Sequence, residues 1–221
     1  DYTVSYSKNT AIGQASVKIT GKGLYKGTKT VNFNIRPATV TKLKVSSTGE
    51  KSVKLSWKKV TGADSYAIYR YDNTSKKWQR IKTVKAVSFT DSGLARAKGY
   101  SYKVKAVKKS GGKEYISASY SKAVEAVTKP AKASCTAKSA GSGSIEVSWK
   151  AVGGASGYEI YSSSNGSDYV KSAKVGGSHK SAIVSGFEPY SLRMVKVRAY
   201  KTVNGKTSYG AFSQAVMVIV R

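Results

Sequence analysis

The chain has 221 residues, 40% of them hydrophobic, and its 39 Lys+Arg against 11 Asp+Glu give a net charge of +28. One histidine and one cysteine exclude an internal disulfide and a zinc centre of ordinary ligand spacing, and no run reaches the roughly 18 apolar residues of a membrane span. Sixteen tyrosines, three prolines and no sustained 3.6-residue apolar period point to strands throughout, with helix almost absent.

Residues 1–36 contain three alternating stretches: Tyr2, Val4 and Tyr6; Ala15, Val17 and Ile19; Val31, Phe33 and Ile35. Alternation sends each triplet to one face of a strand, and the connections fall at Asn9 to Gln14 and at Gly21 to Gly27. A three-stranded meander is marginal alone, so this stretch is expected to be a partial unit cut from a longer polypeptide. The string DYTVSYSKNTAIGQASVKIT resembles the C-terminal half of a bacterial immunoglobulin-like surface repeat. Arg36-Pro37 marks its end, because proline fixes φ and stiffens a junction.

In the next stretch, Val53, Leu55 and Trp57 alternate with Lys54 and Ser56. Tyr66, Ile68 and Arg70 then form one face of a following strand, with Ala67, Tyr69 and Tyr71 on the other. Turns are expected at Asp72-Asn73-Thr74-Ser75, just before Trp78, and at Ser110-Gly111-Gly112-Lys113. After Lys129-Pro130-Ala131 the pattern returns, since Ser144 to Tyr161 copies Ser52 to Tyr69 in outline. The pairs Pro37/Pro130, Trp57/Trp149, Tyr66/Tyr158 and Ala106/Ala199 lie 93, 92, 92 and 93 residues apart. A period of that length is a domain, because solenoid repeats run about 20–50 residues. Asn165-Gly166 and Asn204-Gly205 stand at the hairpins of the second copy, where Asn-Gly adopts the positive φ of a tight turn.

Each copy resembles a fibronectin type III domain of the kind common in bacterial surface and secreted proteins. The resemblance rests on Trp57 and Trp149, on the two Gly-Ala-x-x-Tyr-x-Ile-Tyr stretches, and on Leu94, Tyr100, Tyr102, Val104 and Ala106 in the first copy. It implies an all-β fold class: two tandem Greek-key β-sandwiches of fibronectin type III, immunoglobulin-like architecture at 37–128 and 129–221, after a short N-terminal three-stranded β segment at 1–36. It also makes Tyr100 a tyrosine corner, a phenol bonded back to the backbone at the crossover between the sheets. The second copy has Phe187 and Arg193 at the matching positions, so its crossover is expected to be held less firmly.

Nothing in the sequence gathers into a reaction centre. The acids are scattered singly, His179 sits in a Gly-Gly-Ser-His-Lys loop and is expected to be solvated, and Cys135 is expected to be a small buried apolar residue. Catalytic, cofactor-binding and metal residues are therefore expected to be none. Asn73-Thr74-Ser75 and Asn165-Gly166-Ser167 match a glycosylation pattern, yet both fall where turn residues belong.

The charge is the strongest global signal. A field of that sign attracts phosphate polymers, acidic glycans and anionic surfaces, and loses strength as salt rises. Lysines alternate with apolar residues, as in Lys103-Val104-Lys105, which is the pattern of an outer sheet face and not of a specific nucleic-acid reader. The candidate binding residues are Tyr69, Tyr71 and Trp78, whose rings would stack on sugars or anchor a protein. Alternatively the rings lie against Lys103 and Lys105 and merely cover the sheet. The expected function is a non-catalytic spacer or adhesion module of a secreted or cell-wall-associated bacterial multidomain protein, extracellular and monomeric, with anionic cell-envelope polymer as partner. The alternatives are a polysaccharide-binding accessory module of a carbohydrate-active enzyme and a host-protein-binding surface domain.

Overall fold

Nineteen β-strands and no helix make up the structure, a computed structural model that describes residues 1–221. The first three, β1 (Tyr2–Ser7), β2 (Gly13–Gly21) and β3 (Thr28–Ile35), form the expected antiparallel meander in chain order. Its register sets Tyr6, Val17 and Val31 side by side and Val4 beside Ile19, so the alternating apolar residues share one face. Much of that face is wet: Tyr2, Val4, Tyr6, Val31 and Phe33 are all exposed.

Eight strands follow: β4 (Lys44–Thr48), β5 (Ser52–Ser56), β6 (Ser65–Asp72), β7 (Lys77–Val84), β8 (Ser88–Ser92), β9 (Gly99–Ser110), β10 (Lys113–Ile116) and β11 (Val124–Val127). They build a three-stranded sheet β4-β5-β8 and a five-stranded sheet β10-β9-β6-β7 in which β11 also pairs with β9. The same plan returns in β12 (Thr136–Gly141), β13 (Ser144–Ser148), β14 (Gly157–Ser163), β15 (Val170–Gly176), β16 (Ser181–Ser185), β17 (Leu192–Val203), β18 (Lys206–Tyr209) and β19 (Val216–Ile219). These form β12-β13-β16 and β15-β14-β17-β18, with β19 on β17. The duplicated sequence thus gives duplicated topology, and neighbours such as β5 with β8 and β6 with β9 are the expected crossovers. By contact, the chain divides into one compact unit of Asp1–Ser46, Lys54–Thr90 and Ser101–Glu125, and a second of Ser47–Val53, Asp91–Tyr100 and Ala126–Arg221.

The turn chemistry follows the residues. Gly111-Gly112 at φ 54° and 73° and Asn204-Gly205 at 48° and 74° close two-residue hairpins, because both central positions need positive φ. Asn165-Gly166 differs from expectation. It lies in the longer 164–169 connection, where the Asn165 side-chain oxygen accepts from the Ser167 and Asp168 N–H groups at 2.9 Å.

Trp57 and Trp149 are core residues at 6% exposure, each beside a buried tyrosine: Trp57 with Tyr66 at 5.4 Å between ring centroids, Trp149 with Tyr158 at 5.0 Å. The tyrosine hydroxyls accept from the backbone N–H of Val60 (2.8 Å) and Val152 (2.7 Å), tying each polar connection to the strand after it. The indoles differ in one respect. Trp149 Nε1 donates to the His179 carbonyl at 3.0 Å, whereas Trp57 Nε1 is buried without a partner. A buried orphan N–H costs about 1–3 kcal/mol, and a made hydrogen bond contributes about 1 kcal/mol. Trp149→Phe is therefore expected to lower stability by about 1 kcal/mol or more beyond what Trp57→Phe costs; denaturant midpoints of the two full-chain variants measure the difference.

Tyr100 forms the corner as expected, its hydroxyl accepting from Ala95 N–H at 2.9 Å. Without a tyrosine, the second copy uses other means. The Arg193 guanidinium lies 4.9 Å over the Phe187 ring, and backbone bonds run from Tyr190 N to Val220 O (2.8 Å) and from Val220 N to Ser191 O (3.0 Å). Cys135 precedes β12 and is half-buried against the core rather than buried, its sulfur 3.1 Å from Ser213 Oγ. His179 is exposed in a turn, as expected.

Candidate functional site

The β6–β7 hairpin places the three candidate aromatics. Asp72 shapes its turn by accepting from Thr74 N–H at 2.9 Å, Ser75 Oγ at 2.7 Å and Gln79 Nε2 at 2.8 Å. This fixes a register in which Tyr71 stands opposite Trp78, and their rings meet edge-on at 5.4 Å. Tyr69, two residues earlier, stands opposite Arg80 on β7 and Lys103 on β9. It follows a register irregularity between Ile68 and Tyr69 and shares the register of the Tyr71–Trp78 pair, but its ring meets Tyr120 at 4.9 Å and 90°.

Lysines from β9 join the two aromatic pairs. Lys103 Nζ lies 4.4 Å from the Trp78 ring centroid and 5.4 Å from that of Tyr120, and Lys105 Nζ lies 4.2 Å from Tyr120. All six side chains are half-buried. Tyr71, Trp78, Lys103, Tyr120 and Lys105 thus form a continuous ladder, with Tyr69 braced on Tyr120. Contacts of this kind contribute about 0.5–1 kcal/mol each at exposed sites, and they occupy ring faces that a sugar would need. Burial raises the Tyr69 phenol pKa, with the nearby Tyr120 adding to it, and burial lowers that of Lys105, helped by Arg36. Beside the ladder Arg80 pairs with Glu114 at 3.0 Å, and that hydrogen bond holds the Glu114 carboxyl below its ordinary value.

Tyr120 was not among the residues expected from sequence. It lies outside any strand, so no alternation marks it. A signal was nevertheless present: Tyr120-Ser121-Lys122-Ala123-Val124 recurs 92 residues later as Phe212-Ser213-Gln214-Ala215-Val216. The serines do identical work, Ser121 exchanging bonds with the Val104 backbone and Ser213 with that of Val197. Each thereby holds its preceding ring over the sheet.

The second copy closes the equivalent face more tightly. Lys196 Nζ sits 3.5 Å from the Tyr169 centroid and 4.6 Å from Phe212, while the Arg198 guanidinium lies 4.1 Å from Tyr209 and 4.8 Å from Phe212. Beneath them Glu159, where the first copy has Ala67, is 1% exposed and accepts from Arg198 Nη2 (2.7 Å), Arg198 Nε (3.0 Å), the Tyr161 hydroxyl (3.3 Å) and Lys171 Nζ (3.3 Å). Burial by itself would raise its pKa, but the hydrogen bonds from Arg198 and Lys171 prevail and the carboxyl lies below its ordinary value. No three His, Cys, Asp or Glu side chains gather in a metal-binding group.

No protein-family model matches the chain. A poly(3-hydroxybutyrate) depolymerase of Ralstonia pickettii is 43% identical over 100 residues, which is 45% of this chain and 18% of that protein's length. Among solved structures, a two-domain fibronectin type III segment of chicken tenascin aligns with 82% of this chain and 99% of its own at 17% identity and a TM-score of 0.50. Domains FN1–FN3 of chicken CNTN1 align with 94% and 77% at 16% identity and a TM-score of 0.41. The tenascin match shows that the two copies have the tandem fibronectin type III fold.

Proposed function

We propose that this pair of fibronectin type III folds is a non-catalytic spacer and adhesion module of a secreted or cell-surface bacterial multidomain protein, with sandwiches at 37–128 and 129–221 following a three-stranded β unit at 1–36. The observation that carries the reading is duplication on a basic surface. The same two sheets are built twice in one chain of net charge +28. Repeated sandwiches set distance, and the charge holds them near anionic envelope polymers. No helix is long and apolar enough to cross a membrane.

A second reading is favoured by the similarity to part of a depolymerase: an accessory module that keeps a polymer-degrading enzyme on its substrate. The polymer in that relative's name is a polyester, so this reading extends from polysaccharides to hydrophobic polyesters. Tyr69, Tyr71 and Trp78 would be its contact residues. Trp78→Ala in the full chain separates the two readings. The spacer reading expects capture by an anionic polymer that weakens as salt rises and is unchanged by the substitution. The accessory reading expects capture by poly(3-hydroxybutyrate) granules or a glycan array that the substitution abolishes with the fold intact.

A further inference from the structure

Within the first compact unit, the β1–β2 connection approaches the β9–β10 hairpin and leaves a cleft of about 420 Å³. Lys8, Ile12 and Gln14 line one side, with Ser110, Lys113 and Tyr115 on the other. Its two sides approach closely, since a Cβ built on Gly13 would lie 3.5 Å from Ser110 Oγ; Ile12 Cδ1 also packs over Gly62, outside the lining, where a Cβ would lie 2.8 Å away. Gly62 is at φ +78°, a backbone bend that favours glycine.

The lining is selective in charge. Two lysines, an amide and two hydroxyls contribute, and no carboxylate does. Two acids bonded beside its hairpin, Asp64 and Glu114, are already engaged. Asp64 accepts from Lys108 Nζ at 2.9 Å and from Lys109 N–H at 3.0 Å, and Glu114 pairs with Arg80. Lys8 holds φ 55°, a region uncommon for a residue other than glycine. The volume falls within the range of about 300–1,000 Å³ typical of ligand pockets, and a junction between packed segments is a usual place for one.

We propose that this cleft binds one phosphate-bearing unit of an anionic polymer, with the phosphate between the Lys8 and Lys113 ammonium groups and the hydroxylated remainder on Gln14, Ser110 and Tyr115. Lysine binds phosphate as a compact point charge, and two such charges match the near-dianionic phosphate of a monoester better than the single charge of a carboxylate. The inference rests on the reading of the chain as a module held to anionic polymer, and it names where one repeating unit is gripped.

The test is calorimetric titration of the full chain with sn-glycerol 3-phosphate at low salt. Saturable binding is expected, weakened about tenfold or more in Lys8→Gln/Lys113→Gln. The exposed control Lys54→Gln/Lys150→Gln removes the same charge and is expected to leave the affinity within about twofold. Equal weakening by both pairs overturns the site, and so does absence of saturation. Equally tight binding of glucuronate overturns the phosphate assignment. If polymer capture persists while glycerol phosphate fails to saturate, the site falls and the charge-based reading stands.

Discussion

Glu159→Ala is expected to destabilise the chain by about 3 kcal/mol at neutral pH, the low end for breaking a buried ion pair. The low end applies because the Arg198 and Lys171 side chains stay 22% and 49% exposed and recover some hydration when the carboxylate is removed. The carboxylate itself is 1% exposed, so in the native protein it draws its stabilisation from those cations and the Tyr161 hydroxyl. Its folded pKa lies below the unfolded one, which fixes the sign. The contribution is full above the unfolded value of about 4.3 and is lost as pH falls through the folded value. Urea unfolding of both proteins at neutral and acid pH checks this. A gap that stays constant into the acid range would show that Glu159 acts by packing and not by charge.

Tyr158→Ala is expected to cost about 3–5 kcal/mol, as truncations of large core aromatics do. Tyr158 is fully buried, packs on Trp149 and accepts from Val152 N–H at 2.7 Å. A domain with a total stability of about 5–15 kcal/mol loses much of its margin to such a change. Tyr158→Phe separates the two roles, since it keeps the ring and leaves only the Val152 donor unmet, for about 1–2 kcal/mol. Circular-dichroism melts of the two full-chain variants rank them. Equal losses would mean that the hydroxyl, and not the ring, carries the effect.

The fold was legible because period-two alternation and a 92-residue repeat are properties of the string itself. Val53, Leu55, Tyr66, Ile68, Val104 and Ala106 are all buried as their spacing requires. Arg70, placed by alternation on the face of Tyr66 and Ile68, is only half-buried towards the end of its strand. The candidate site was legible in part. Tyr71 and Trp78 pair because a hairpin register follows from its turn, and Lys103 covers Trp78 as one of the two sequence readings required. Tyr120 was missed because its place is set by Ser121 across the sheet rather than by strand alternation. Glu159 was missed for a related reason. Alternation assigns it to a solvated face, and only partners 12 and 39 residues away reveal that it is covered.

The wet tyrosines and valines of the β1–β3 meander give the molecule a colloidal character as well as an architectural one. At about 0.01 M ionic strength, copies of a strongly cationic protein repel over roughly 30 Å, and in molar salt over only about 3 Å. Electrolyte that loosens the grip on polyanions therefore also removes the barrier that keeps those greasy sheets apart. The concentration range in which the chain remains dispersed is narrowest where its hold on acidic polymers is weakest.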